Sequence, residues 1–253
     1  MNRNFLKNMR RAAFVLAAVA LVLLGLTLSS CGKATGTGNE PVIVCLVRHA
    51  EATSNIDGVY AGKGTESHLT ESGKVQAEIL GQALSKITCD RAIASEMTRT
   101  QETADIILEN NVNPVPKVEV DAGFDEIDFG KADGMTSADA QAAFGADLFG
   151  TYDDADFTSP TGGESAYELA DRVNTAMNAL ASAPENAGKT LFITGHSSAG
   201  WWLESQWPDQ CSDSLKNASV TVLKYEAGQW ALLIYNETDF TDFEKRYREA
   251  VRK

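Results

Sequence analysis

The six residues Val42 to Val47 (VIVCLV) follow a proline, carry no charged or amide side chain and are rich in β-branched types. A strand of that composition has nothing to offer water on either face, so it reads as an internal strand covered on both sides by helices. The rest of the chain alternates in keeping with this. Thr70 can cap a helix from Glu71 to Lys86 whose apolar positions Val75, Ile79, Ala83 and Ile87 recur at helical spacing and predict its buried face. Arg91 to Ser95 (RAIAS) reads as a second short strand. Thr98-Arg99-Thr100-Gln101 then fits a capping box opening a helix to about Leu108, with Arg99 in its first turn. Lys117 to Val120 gives another short strand, and 122–163 is irregular, with short helices around Ser137 to Leu148. Helical periodicity returns from Glu164 to about Ala181. A strand at Thr190 to Thr194 follows, then a helix over Ser198 to Gln206. Val220 to Tyr225 and Trp230 to Tyr235 alternate around Gly228 as a hairpin, and the tail from Thr238 is a charged helix. Strands and helices in this order predict an α/β fold, a three-layer α/β/α sandwich on a mostly parallel sheet, as one domain over 41–253.

The first thirty residues are of another kind. Arg3, Lys7, Arg10 and Arg11 precede an uncharged stretch from Ala12 to Leu28, the order of an export signal. The stretch ends in Leu28-Ser29-Ser30-Cys31, which resembles the lipobox of bacterial lipoproteins and implies a signal peptide over 1–30 with Cys31 as the acylated residue. Residues 31–40 then form a Gly/Thr-rich tether. On this reading the domain works outside the cytoplasm, held to the membrane through its N-terminal lipid. A net charge of −13 excludes nucleic acid as a partner, since phosphate backbones are held by clustered Lys and Arg. Cys45, Cys89 and Cys211, with no C-x-x-C spacing, read as small buried hydrophobes more readily than as metal ligands, and one disulfide between two of them stays open.

Chemistry gathers at strand ends, where α/β sheets bind ligands. The first strand runs into Arg48-His49, the second leads to Arg99, and the strand at Thr190 ends in Gly195-His196-Ser197-Ser198-Ala199. The last of these also matches the nucleophile elbow of serine hydrolases, whose order along the chain is Ser, acid, His. The three histidines are His49, His68 and His196, so none follows Ser197, and the serine reading fails. Two histidines and two arginines beside helix N-termini suit an anion, most simply a phosphoryl group.

Six segments in order, LVRHAEATSN, LTESGKVQAEILGQAL, ASEMTRTQETA, FDEIDFGKADG, PTGGESAYELADRV and FITGHSSAG, resemble the signature segments of the histidine phosphatase superfamily, its phosphoglycerate mutase-like branch. The resemblance implies a phosphoglycerate mutase-like fold and a phosphomonoester hydrolase working through a phosphohistidine on a small phosphorylated molecule. It implies neither metal nor cofactor. Matched position by position, His49 is the nucleophile, Glu126 the proton donor and His196 the second histidine. Arg48, Asn55, Gly62 and Arg99 are the substrate-binding residues. Glu126 is selected over the flanking Asp125 and Asp128 only by register, and Asn55 has a competing role in an Asx turn. Ala50, Ala52, Ser197 and Ser198 depart from the family pattern, Ala50 being tolerable if its φ is negative. Two alternatives stand: a phosphoglycerate mutase-type phosphotransferase, and an inactive anion-binding lipoprotein. Asp153, Asp154 and Asp156, with Lys131 as the only base in 130–163, predict an acidic rim that favours substrates of modest charge.

Overall fold

The computed structural model describes residues 40–252. The export signal, Cys31 and all but the last residue of the tether lie outside them. Among the described residues no helix is long and apolar enough to cross a membrane.

Six strands form one sheet: β1 (Val42–Arg48), β2 (Arg91–Ala94), β3 (Val118–Val120), β4 (Thr190–Gly195), β5 (Val220–Glu226) and β6 (Gln229–Glu237), in the order β3-β2-β4-β1-β5-β6. The four strands from β3 to β1 are parallel, and the β5-β6 hairpin adds antiparallel to β1. Alternation along β1 divides the core. Val42, Val44 and Leu46 pack on one face, against the helices α5 (Ala166–Ser182) and α6 (Ala199–Gln206). Ile43, Cys45 and Val47 pack on the other, with α2 (Glu71–Leu84), α3 (Thr98–Glu109) and α7 (Phe243–Val251). This is the three-layer sandwich expected. Two short helices, α1 (Thr53–Asp57) and α4 (Ser137–Phe144), lie in the connections. Cys45, Cys89 and Cys211 are buried and free.

Two local readings need correction. Thr70 caps α2 as expected, its Oγ1 accepting from Gly73 N at 2.9 Å. The helix ends at Leu84. Of the four positions expected inside, Ile87 just beyond it is buried and Ala83 packs partly on the core, but Val75 and Ile79 are about half exposed, and the buried face is Gly73, Ala77, Leu80, Gly81 and Leu84. The reason is close approach, since a Cβ at Gly73 would collide with the Glu51 carbonyl, so only the small-residue side of the helix fits against the loop after β1. The second correction concerns α3. No capping box forms; Met97 is the N-cap without a side-chain bond, and Thr98 is already helical. Thr100 Oγ1 instead donates to Met97 O at 2.7 Å, and Gln101 Nε2 to Glu96 O at 2.9 Å. Arg99 does sit in the first turn and is buried.

Candidate active site

The sheet register places the two catalytic candidates side by side. Arg48 pairs with Gly195 at the carboxyl ends of β1 and β4, and His49 N donates onward to Gly195 O at 2.9 Å. His49 and His196, each the next residue, therefore emerge one strand spacing apart, with ring centroids 5.2 Å from each other at 64°. Both are 2% exposed. Ser95, which follows β2 on the other side of β4, meets His196 from the opposite flank.

The neighbours fix the tautomers. A carbonyl can only accept, so His49 Nδ1, 2.8 Å from Ala50 O, carries the proton and leaves the lone pair on Nε2. Arg99 Nε donates to that Nε2 at 3.3 Å, which requires the same assignment. A guanidinium can only donate, so His196 Nδ1, 3.2 Å from Arg99 Nη2, is the unprotonated nitrogen of that ring. Its Nε2–H then donates to Ser95 Oγ at 2.8 Å. Ser95 Oγ lies 2.8 Å from Thr100 Oγ1, which donates to Met97 O, so the chain of donors runs one way from His196 into the start of α3. Arg99 is pinned between the rings by donating also to Ala61 O at 2.6 Å.

Burial pushes both histidines well below their ordinary value, and the positive charge of Arg99 adds to it, so both rings are neutral at physiological pH. Arg48 and Arg99 are lowered by burial as well, with Glu126 opposing, but a guanidinium stays cationic regardless. Arg48 donates through Nη1 to Leu215 O, while its buried Nε has no partner.

Arg48, His49, Arg99, Asn55 and Glu126 line a cavity of about 350 Å³, and His196 stands behind them, reached through Arg99 and Glu126. Asn55 lines the cavity and shows the loop-shaping role. Its Oδ1 accepts from Ala52 N at 2.9 Å and Asn217 Nδ2 at 3.2 Å, shaping the loop and turning its amide nitrogen outward as a donor. Asn217 also donates to His49 O at 3.0 Å. Glu126 Oε2 lies 3.8 Å from His196 Nδ1. Of its acidic neighbours, Asp125 is tied to Lys63 Nζ at 2.7 Å and Glu96 N at 2.8 Å, and Asp128 accepts from Gly130 N; neither lines the cavity. Arg172 holds the Glu126 turn from behind, donating to Asp125 O and Glu126 O while paired with Glu164 at 2.7 Å.

Gly62 is not brought into this cluster. Its N–H is committed to Asp133 Oδ1 at 2.8 Å, it lines a neighbouring depression, and a Cβ there would crowd the Phe129 ring at 3.3 Å. The glycine serves packing, and its neighbour Ala61 supplies the carbonyl that meets Arg99. His68 lies outside the cavity, bonded to Glu102 at 2.8 Å. The departures are accommodated: Ala50 and Ala52 are fully buried, Ala50 avoids positive φ, and its N–H donates to Thr103 Oγ1. Ser197 and Ser198 line the cavity, and the buried Ser198 Oγ has no partner. Ser95, Thr103, Arg172 and Asn217 escaped the sequence reading. Thr103, Arg172 and Asn217 lie away from strand ends and act through loop backbone, and Ser95, although it directly follows β2, carries only a hydroxyl that gains meaning beside His196. The acidic rim was assigned to the wrong residues: Asp153, Asp154 and Asp156 do not line the cavity, whereas Glu204 and Asp213 do. Among the described residues no group of three or more His, Cys, Asp or Glu is placed to hold a metal ion.

Comparison with known proteins agrees with this geometry. The chain is 28% identical over 197 residues to an uncharacterized phosphatase, PhoE, of Bacillus subtilis, covering 76% of this chain and 93% of that one. It is 28% identical over 155 residues to a 2,3-bisphosphoglycerate-dependent phosphoglycerate mutase of Gloeobacter violaceus, covering 61% and 70%. A phosphoglycerate mutase structure from Bacillus anthracis superposes with a TM-score of 0.70 at 20% identity, over 83% of this chain and 99% of that one, and shares the fold. The profile of the histidine phosphatase superfamily (branch 1) matches residues 44–238, from β1 through β6, and the chain belongs to that superfamily.

Proposed function

We propose that the protein is a phosphomonoester hydrolase acting through a phosphohistidine at His49 on a small phosphorylated molecule. The observation that carries this reading is the His49 tautomer, whose unprotonated Nε2 meets Arg99 Nε at 3.3 Å in a cavity that Arg48 and Glu126 also line. His49 Nε2 attacks phosphorus in line, the N–P bond forming as the P–O bond to the alcohol breaks. Glu126 passes its proton to the departing alkoxide. In the second step the Glu126 carboxylate takes a proton from water, the oxygen attacks phosphorus, and the electron pair of the N–P bond returns to Nε2. Arg48, Arg99 and the Asn55 amide hold the equatorial oxygens, and the unpaired Arg48 Nε and Ser198 Oγ are donors that such oxygens satisfy. His196 joins them once it is protonated, which the charge of a bound phosphoryl group favours.

The relatives' names point to two activities, phosphatase and mutase. The carboxylates of Glu204 and Asp213 favour the first here, because a phosphoglycerate would bring its own carboxylate against them. The test is phosphate release from p-nitrophenyl phosphate by the full-length chain and by His49→Ala. Turnover in the wild type, lost in the variant and accompanied by an acid-labile, alkali-stable phosphoenzyme, is the expected result. Turnover surviving in His49→Ala, or interconversion of phosphoglycerates, would overturn it. We propose further that the enzyme works outside the cytoplasm, anchored through Cys31. The basic residues before Ala12, the uncharged run and the Leu28-Ser29-Ser30-Cys31 sequence support this. Cells fed a palmitate analogue should label the wild-type chain and not Cys31→Ala.

A further inference from the structure

The cavity is electrically polar along its length. His49 and Arg99, both buried, mark its floor with Arg48, while the lining also holds aromatic rings, mostly half-buried, and two carboxylates nearer solvent. Tyr60 and Phe129 stack at 4.7 Å, Phe149 meets both edge-on at 5.6 and 5.8 Å, and Trp201 packs on Phe149 at 5.8 Å. Glu204, half-buried, and Asp213, exposed, complete the lining on its solvent side. The helix α6 sets the spacing. Ser198 at its start, Trp201 and Glu204 follow at intervals of three, so they share the face that lines the cavity. Six residues at helical rise carry Glu204 about 9 Å from Ser198. The wall of α6 thus runs from a buried, unpartnered hydroxyl near the phosphoryl floor, past an indole, to a carboxylate.

Neither Glu204 nor Asp213 is in an ion pair among the described residues, and their uncompensated charge is felt nearby. The Tyr235 hydroxyl is pushed up to about 12 by burial first and then by Cys211, Asp213 and Glu204. The Cys211 thiol is raised to about 11 by burial and then Glu204. Aromatic faces flanked by unpaired carboxylates attract a cation. They repel a second anionic group on the same ligand.

We propose that the preferred substrate is a phosphomonoester whose alcohol carries a cationic amine on a flat apolar body, its phosphate on the arginine floor and its amine between Trp201 and Glu204. This rests on the phosphatase reading and is tested separately from it. The probes are O-phosphotyramine and the matching ester in which a propionate replaces the aminoethyl group, equal in body and opposite in terminal charge. The full-length chain should hydrolyse the amine ester with a kcat/KM at least about tenfold higher, equivalent to ~1.4 kcal/mol. Glu204→Gln should reduce that ratio severalfold, and Glu204→Gln with Asp213→Asn should bring it near one. A wild-type ratio of one or below, or a ratio unmoved by the double substitution, overturns the proposal while leaving hydrolysis of p-nitrophenyl phosphate intact. If no ester is turned over at all, the phosphatase reading fails, and calorimetric titration of the His49→Ala chain with the same two esters still decides: tighter binding of the amine ester upholds the assignment, equal or weaker binding refutes it.

Discussion

At the histidine pair all four ring nitrogens of His49 and His196 have a hydrogen-bond partner within the protein, whereas elsewhere in the cavity the carboxylates of Glu204 and Asp213 have no ion-pair partner among the described residues. The floor is over-determined. Its tautomers, the Arg99 rotamer and the spacing of the rings are each imposed by more than one contact, as a reaction sensitive to fractions of an ångström requires. The mouth is held by the packing of aromatic side chains on a helix face and leaves its charges for whatever enters. Chemistry and selectivity thus occupy one cavity but rest on different forces, so substitutions at the two ends should separate in what they change.

The largest separation within the floor itself should come from Glu126→Gln. Loss of the proton donor and base costs ~10²- to 10⁴-fold in kcat. With p-nitrophenol, a leaving group that hardly needs the proton, the phosphohistidine should accumulate because its hydrolysis still needs the base. Asp125→Asn, one residue away but bound to Lys63 and Glu96, should leave kcat within severalfold; equal losses in the two variants would erase the distinction. Arg172→Leu comes next. Arg172 donates to the carbonyls of Ala122, Gly123, Asp125 and Glu126 and pairs with Glu164, so its loss should mainly displace Glu126, lowering kcat by about ten- to a hundredfold with little change in KM. A rise in KM at constant kcat would show instead that it serves binding. The smallest effect is on pH dependence. Because burial and then Arg99 hold His49 and His196 below 6.5, the unfolded chain binds more protons than the folded one as pH falls through that value. Their contribution to stability is therefore complete above pH 6.5 and is lost on acidification. The urea midpoint should fall from about pH 7 to about pH 5 by less in His49→Asn than in the wild type, and the acid limb of kcat/KM, corrected for substrate ionisation, should lie below 6.5. A limb at or above 6.5 would contradict neutral, buried rings.

The floor could be read in the sequence because strand ends are local. The residue after an apolar run lands at the edge of the sheet, and parallel register then brings His49 beside His196. The faces of helices were less legible. Val75 and Ile79 repeat as faithfully as Ala77, Leu80 and Leu84, and what decides between them is the clearance beside Glu51, a distance that exists only after α2 docks. Hydrophobicity favoured one face and steric fit chose the other. The same holds for the mouth. The sequence points to acidity in the aspartate-rich loop. The helix expected over Ser198 to Gln206 already puts Ser198, Trp201 and Glu204 on one face, but only the docked helix shows that this face lines the cavity. Asp125, Glu126 and Asp128 were separable only by register until the partners of Asp125 and Asp128 could be seen.

The pairing of β1 with β4 also bears on how the protein comes into being. Those neighbours are separated by more than half the chain, and β4 slots between β1 and β2, which precede it. Loop closure over such a separation makes for slow folding, and no smaller substructure holds both histidines. Until β4 is seated there is one imidazole without its companion and an Arg99 without its second ring to bridge. A chain still being made therefore has no assembled site, and the pairing of the two histidines marks completion of the central sheet.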